Sequence, residues 1–273
     1  MMEATTTTVL TSDCIAQYLR FIEDCGRRPA TVKSYGGDLR ALVEFAEANA
    51  WCHDDERMAA LFITTHRGDW AVRTTNRRIS AIRAFGMWAG APLLQDFKQS
   101  RAARPRAKAL TGGLSSITAM LKHFESEGNL DMIAVVALCG FGGLRVGEAE
   151  ALERDHLDFH DRIIEVWDGK GGNDREVPMA ERAVPWLRKV LERDGDLVQI
   201  SRSTIERHFR AAAVALGESQ HKTHSMRATA LTTWHRNGAS LRTCQELAGH
   251  ASARTTEVYT DATMDDMRAA VNS

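Results

Sequence analysis

One stretch constrains the fold of this chain more than any other. Residues 91–109 carry two prolines, Pro92 and Pro105, and five basic residues, and the apolar periodicity on either side stops there. Proline has no N–H to donate and its ring clashes with the preceding turn, so neither a helix nor a central strand runs through such a segment. Lost periodicity, paired prolines and a run of charge together mark a domain boundary. The 273 residues are therefore expected to form a first domain over 1–90, a basic linker over 91–109 and a second domain over 110–273.

The first domain reads as four short helices. A Ser12 N-cap opens the first, with Ile15, Leu19 and Ile22 at helical spacing. The second starts at Thr31, after Pro29, and stacks Val32, Tyr35, Leu39, Leu42 and Ala46 on one face. Gly36 and Gly37 inside it cost up to ~1 kcal/mol each relative to Ala, so close packing is expected there. The third starts in the acidic turn Asp54–Glu56 and carries Met58, Leu61 and Phe62; the fourth covers 74–90, with Ile79, Ile82 and Phe85 inward and Arg73 and Arg77 opposite.

The second domain begins with a helix over 116–127 and a nearly all-apolar, buried one over 131–141. Residues 157–159, 163–167 and 175–178 read as three short strands, the last two joined by the glycine-rich turn Asp168-Gly-Lys-Gly-Gly-Asn-Asp174. Helices resume beyond 181. Gly238 and Gly249 fit C-caps, and Ser240 and Ser252 fit N-caps. The fold class is mainly α with a small three-stranded antiparallel β-sheet.

Composition closes several alternatives. With 44% hydrophobic and 26% charged residues the chain is an ordinary globular mix, neither disordered nor collagen-like. No apolar run approaches the ~18 residues of a membrane helix, and the N-terminal MMEATTTTVLTSD does not read as a signal peptide. Five cysteines without a C-x-x-C pair (Cys14, Cys25, Cys52, Cys139 and Cys244) read as reduced thiols in a cytosolic protein, packed as small hydrophobes. Net charge is −1, yet residues 66–108 hold ten basic residues (Arg67, Arg73, Arg77, Arg78, Arg83, Lys98, Arg101, Arg104, Arg106 and Lys108) against two acids. A phosphate backbone feels such a local stripe rather than the total, because screening ends the attraction beyond ~8–10 Å. The competing reading is a solvated helix face.

No phosphate-binding loop and no dinucleotide fingerprint is present. His221 and His224 lack the further ligands of a zinc site, and His221 reads as a surface residue. No metal and no cofactor are expected. What remains is a set of polar groups at element ends. Arg145 lies in Gly142-Gly-Leu-Arg-Val-Gly-Glu148, Lys170 tops the hairpin, and His224 and Arg227 share a helix face. His250 follows a glycine cap, and Tyr259 comes nine residues later.

This set resembles the tyrosine recombinases, the phage integrase and Xer-like family, over nearly the whole chain. Gly143-Leu-Arg-Val-Gly-Glu148 matches the first arginine box, and His224-Ser-Met-Arg227 matches the second, with Met for the usual Leu. Leu247-Ala-Gly-His-Ala-Ser-Ala-Arg-Thr-Thr-Glu-Val-Tyr-Thr260 matches the histidine–tyrosine box. Thr31–Arg40 and Asn76–Arg83 are similar to the second and fourth helices of the family's core-binding domain. Ala228 departs from the pattern where a histidine is frequent, and the stretch before His224 is short.

The resemblance implies a two-domain recombinase that cuts and rejoins duplex DNA through a 3′-phosphotyrosyl link. Tyr259 would be the nucleophile, Arg145 and Arg227 the phosphate ligands, and Lys170 the acid for the leaving 5′ oxygen. His224 would act as base or phosphate ligand, His250 as hydrogen-bond donor, and Glu148 as an orienting carboxylate. The partner is double-stranded DNA with inverted core sites, clamped between the two domains. The protein would be a monomer when free and a homotetramer when synapsed, with residues 262–273 docking in trans, in the cytoplasm of a bacterial host at the nucleoid. About ten residues precede the first core-binding helix, which leaves no room for an arm-binding domain. Integration or excision of a phage or other mobile element is the expected role. Dimer resolution of the Xer kind, a topoisomerase, and a non-catalytic DNA-binding regulator on the same fold remain as alternatives.

Overall fold

A computed structural model of the chain describes residues 9–49, 55–101, 108–167 and 174–249. It divides into two compact units, 1–104 and 105–273.

The first unit is helical. Its helices are α1 (Ser12–Asp24), α2 (Pro29–Ala48), α3 (Asp55–Thr65) and α4 (Val72–Trp88). Thr11, not Ser12, caps α1: its hydroxyl accepts from the Cys14 N–H at 3.2 Å. Pro29 is the first residue of α2 rather than lying outside it, because a proline there forfeits an N–H that has no helical partner anyway. The four helices bury one cluster built on Ile15, Leu39, Leu42, Met58, Phe62, Ile79, Ile82 and Phe85. Of the two glycines in α2, only Gly36 marks a close approach. A Cβ there would lie 3.0 Å from Leu19, whereas Gly37 faces open space.

The first half of the expected linker is part of this unit. Leu93 and Leu94 are buried in its core. Arg83 donates to the carbonyls of Leu94 (2.6 Å), Gln95 (3.2 Å) and Phe97, and Asn76 holds Ser100 through both backbone groups. The helical pattern stops before Pro92, but side-chain donors on α4 fasten residues 94–100 back onto it.

The second unit contains α5 (Leu114–Ser126), α6 (Leu130–Gly140), α7 (Val146–Glu150), α8 (Val184–Leu191), α9 (Arg202–Ala215), α10 (His224–Arg236) and α11 (Leu241–Ala248). Between α7 and α8 lie strands β1 (Leu157–Asp158), β2 (Ile163–Val166) and β3 (Arg175–Pro178), paired antiparallel in that order. The register sets Val166 opposite Arg175 and Ile164 opposite Val177. α6 is apolar all round and buried from Met132 to Gly140, as a helix at the centre of a core must be. Asn129 caps it, accepting from the Met132 N–H at 3.1 Å. No helix of the described residues is long and apolar enough to cross a membrane.

Candidate active site

Each described member of the site is placed by the end of an element. After α6 the chain turns through Gly143, whose φ is +65° and where a Cβ would collide with the Trp234 ring. Only glycine fits that backbone and that space. The turn delivers Arg145 to the N-cap of α7. Arginine has no acceptor to cap with, so Glu148, one turn on, reaches back instead. Its carboxylate accepts from the Arg145 backbone N–H at 2.7 Å and from its Nη1 at 2.5 Å.

His224 and Arg227 occupy the first turn of α10. Arg227 is buried at 1% exposure, which an arginine tolerates only when its donors are satisfied. Its Nη1 donates to the Gly143 carbonyl at 2.6 Å and stands 3.7 Å from the Glu148 carboxylate. Its Nη2 donates to the Ala248 carbonyl at 2.6 Å. One carboxylate thus joins Arg145 and Arg227, which are far apart in sequence.

A third arginine completes the arrangement. Arg175, at the start of β3 and nearly buried, donates to both Glu148 oxygens, at 3.2 and 2.9 Å, and through Nε to the Leu247 carbonyl at 2.9 Å. Arg145 Nη2 takes the Gly249 carbonyl at 3.0 Å. The carbonyls of Leu247, Ala248 and Gly249 are therefore received by Arg175, Arg227 and Arg145 in turn. These are the orphan acceptors at the end of α11, where the helix dipole is negative. Gly249 closes that helix in the left-handed conformation, φ +61°, and a Cβ on it would lie 2.7 Å from Arg175.

Three guanidinium groups around one carboxylate leave surplus positive charge, the electrostatics of an anion site. Burial raises the Glu148 pKa, but the Arg175 hydrogen bond, the Arg145 N–H and the charges of both arginines outweigh it and hold the carboxyl at about 2. It stays ionised at any working pH.

His224 is pushed the other way. Desolvation first, then the charges of Arg227, Arg145 and Arg202, lower its pKa from the ordinary histidine value. A lowered pKa means that the folded protein holds this ring neutral at pH 7, with a nitrogen free of its second proton. In the free protein, NMR titration of the His224 ring should give a midpoint below 6.5. A midpoint at or above that value would show that neither burial nor the neighbouring arginines hold the ring neutral.

Lys170, His250 and Tyr259 lie outside the described residues, as do Ser252 and the segment 262–273. His221 is not the surface residue expected. Its side chain is buried, pairs with Glu218 at 3.2 Å and stands 3.2 Å from the Ser225 hydroxyl. Glu218 in turn accepts from the N–H groups of Thr111 and Gly112 and from the Ser116 hydroxyl, tying the entry to α10 to the start of α5.

In the first unit the basic stripe divides. Arg73, Lys98 and Arg101 are exposed, as is Lys108 in the second; Arg104 and Arg106 lie outside the described residues. Arg77 is half exposed but pairs with buried Asp38 at 2.9 Å. Arg78 stacks over Trp70 at 3.7 Å and stands 3.4 Å from Asp38, and Arg83 is engaged by the carbonyls described above. Against the expectation that Arg78 and Arg83 serve DNA, Arg83 donates to the carbonyls of Leu94, Gln95 and Phe97, and Arg78 lies against Asp38 and Trp70. The sequence shows their charge but not the buried acceptors.

Two family models match this chain. Residues 114–266 match the phage integrase family, and residues 15–91 match its N-terminal SAM-like domain. The tyrosine recombinase XerC of Mycobacterium leprae (strain TN) is 31% identical over 276 residues, covering 89% of this chain and 92% of its own.

The chain belongs to the phage integrase family of tyrosine recombinases.

Solved structures agree on the fold. A lambda integrase dimer bound to a COC′ core site superposes with a TM-score of 0.71 at 16% identity, covering 90% of this chain and 76% of that one. XerH recombinase in a pre-cleavage complex with difH superposes at 0.68 and 17% identity, covering 96% and 84%. As a tyrosine recombinase the protein cleaves and rejoins DNA. Arg175 is the residue of this recombinase that motif spacing does not reveal. A signal for it exists: side chains alternate along a strand, Val177 is a core residue, and Arg175 two positions earlier must share its face. An inward-pointing arginine needs a buried partner.

Proposed function

We propose that the protein is a site-specific recombinase in which Tyr259 attacks the scissile phosphate, forming a 3′-phosphotyrosyl bond and releasing a 5′ hydroxyl. The oxygen–phosphorus bond to the 5′ oxygen breaks as the bond to the tyrosine oxygen forms, so bond energy is kept for rejoining. Lys170 gives a proton to the leaving oxygen. His224, held neutral, accepts the tyrosine proton or ligates the phosphate, and His250 donates a hydrogen bond to it. Arg145 and Arg227 meet the charge on the non-bridging oxygens of the transition state. The observation that carries this reading is the pair of arginines assembled from two distant elements on one ionised carboxylate. Arg73, Arg77, Lys98, Arg101, Arg104, Arg106 and Lys108 are assigned to phosphate contacts along inverted core sites, which position the protein without reading sequence. A homotetramer forms on synapsed sites, with residues 262–273 docking in trans.

Integration or excision of a mobile element is the role we assign. Dimer resolution is the second reading, favoured by the nearly full-length match to XerC. Plasmid assays with DNA flanking the coding sequence separate them. Integration predicts joining of two unlike sites on separate molecules; resolution predicts deletion between two directly repeated copies of one site. Either reaction should proceed in EDTA without ATP. A strict magnesium requirement for strand cleavage would overturn the mechanism.

A further inference from the structure

We infer that Arg175 is a positioning residue for strand cleavage: it locks the Glu148 carboxylate that aims Arg145 and, through the Leu247 carbonyl, the end of α11. This rests on the proposed roles of Arg145 and Arg227.

Three features of the geometry carry the inference. The guanidinium forks both carboxylate oxygens of Glu148, so it fixes the plane of the group and not only its charge. The same guanidinium spans from that carboxylate to α11, and packs so closely under Gly249 that a Cβ there would meet it. Arg175 also opens β3, which pairs with β2. A shift in β3 is thereby felt at once by Glu148 and by the Leu247 carbonyl at the end of α11. Arg145 is 41% exposed on its own side chain and owes its direction to Glu148, which Arg175 holds, and to the Gly249 carbonyl, two residues beyond the Leu247 carbonyl to which Arg175 donates.

The effect should fall on chemistry rather than on binding. Misplacement of a catalytic group by about 1 Å costs roughly 100-fold in rate. Arg175→Gln removes the fork and the charge, and is expected to slow cleavage of a nicked suicide substrate by about 10- to 100-fold, while half-site affinity changes less than about threefold. A second readout separates positioning from mere packing. Glu148 is faced by Arg145 from α7, Arg175 from β3 and Arg227 from α10, with Cys139 of α6, Arg202 of α9 and His224 of α10 near the cluster. Losing Arg175 removes the largest of the influences that keep this carboxylate ionised. The acid limb of the cleavage rate should therefore lie at higher pH in Arg175→Gln than in the wild type, where protonation of His224 sets it. Arg175→Lys keeps a charge but cannot fork, and should lie between the two in rate and in limb.

Arg145→Ala is run in parallel. If it cleaves normally, the reading of the site fails. If Arg145→Ala is inactive while folded Arg175→Gln cleaves at the wild-type rate, this inference alone is overturned. It is also overturned if Arg175→Gln loses binding and cleavage equally with no shift of the acid limb. Should Arg175→Gln not fold, Arg175→Lys decides: slower cleavage at normal affinity with a shifted limb supports the inference, and wild-type behaviour overturns it.

Discussion

Tyr259→Phe abolishes covalent attachment to DNA while half-site affinity stays near that of the wild type. Only the hydroxyl is removed, and a benzene ring has no other nucleophile to offer. Affinity persists because phosphate contacts, which dominate binding to duplex DNA, come from arginine and lysine elsewhere. Gel-shift titration and denaturing electrophoresis on the same nicked substrate read the two properties separately. A covalent adduct with the Phe variant would remove Tyr259 from the mechanism, and parallel loss of affinity would make it a structural residue instead.

The two arginines should fail differently. Each is assigned the role of a transition-state donor, whose loss should cost about 100-fold or more in rate. Arg145 is 41% exposed and bonded mainly to Glu148, which keeps Arg175 as a partner. Arg145→Ala should therefore lose cleavage with little change in melting temperature. Arg227 is buried, and its removal strands the carbonyls of Gly143 and Ala248 as well. Unsatisfied buried groups cost about 1–3 kcal/mol each, so Arg227→Ala should lose about 3 kcal/mol or more. At ~2–4 °C per kcal/mol for a domain of this size, melting falls by about 6–12 °C. Scanning calorimetry beside single-turnover cleavage tests the contrast. Equal melting temperatures for both variants would contradict the burial argument.

The ease with which this chain is read from sequence varies with the kind of interaction. The helices and strands follow from apolar spacing and from punctuation by Pro29, Gly143 and Gly249, because those are local constraints. Arg145, His224 and Arg227 stand out because they sit in motifs at element ends. Arg175 does not, since its role depends on Glu148 and Leu247, residues distant in sequence, and on a strand pairing that turns it inward. The same limit explains Arg78 and Arg83. Charge is written in the sequence, but the buried Asp38 beside Arg78 and the carbonyls that receive Arg83 are brought there by tertiary contacts. His221 differs from expectation for that reason too: Glu218 draws it inside.

One tyrosine attacking a phosphate held by Arg145 and Arg227 is the step on which every other assignment depends. Peptide mapping of the wild-type adduct tests it most directly. The protein is trapped on a nicked suicide substrate in EDTA, digested, and sequenced by tandem mass spectrometry. The expected result is a nucleotide attached at Tyr259 through a 3′ phosphate; a nucleotide on any other residue, or on Tyr259 through a 5′ phosphate, would contradict it.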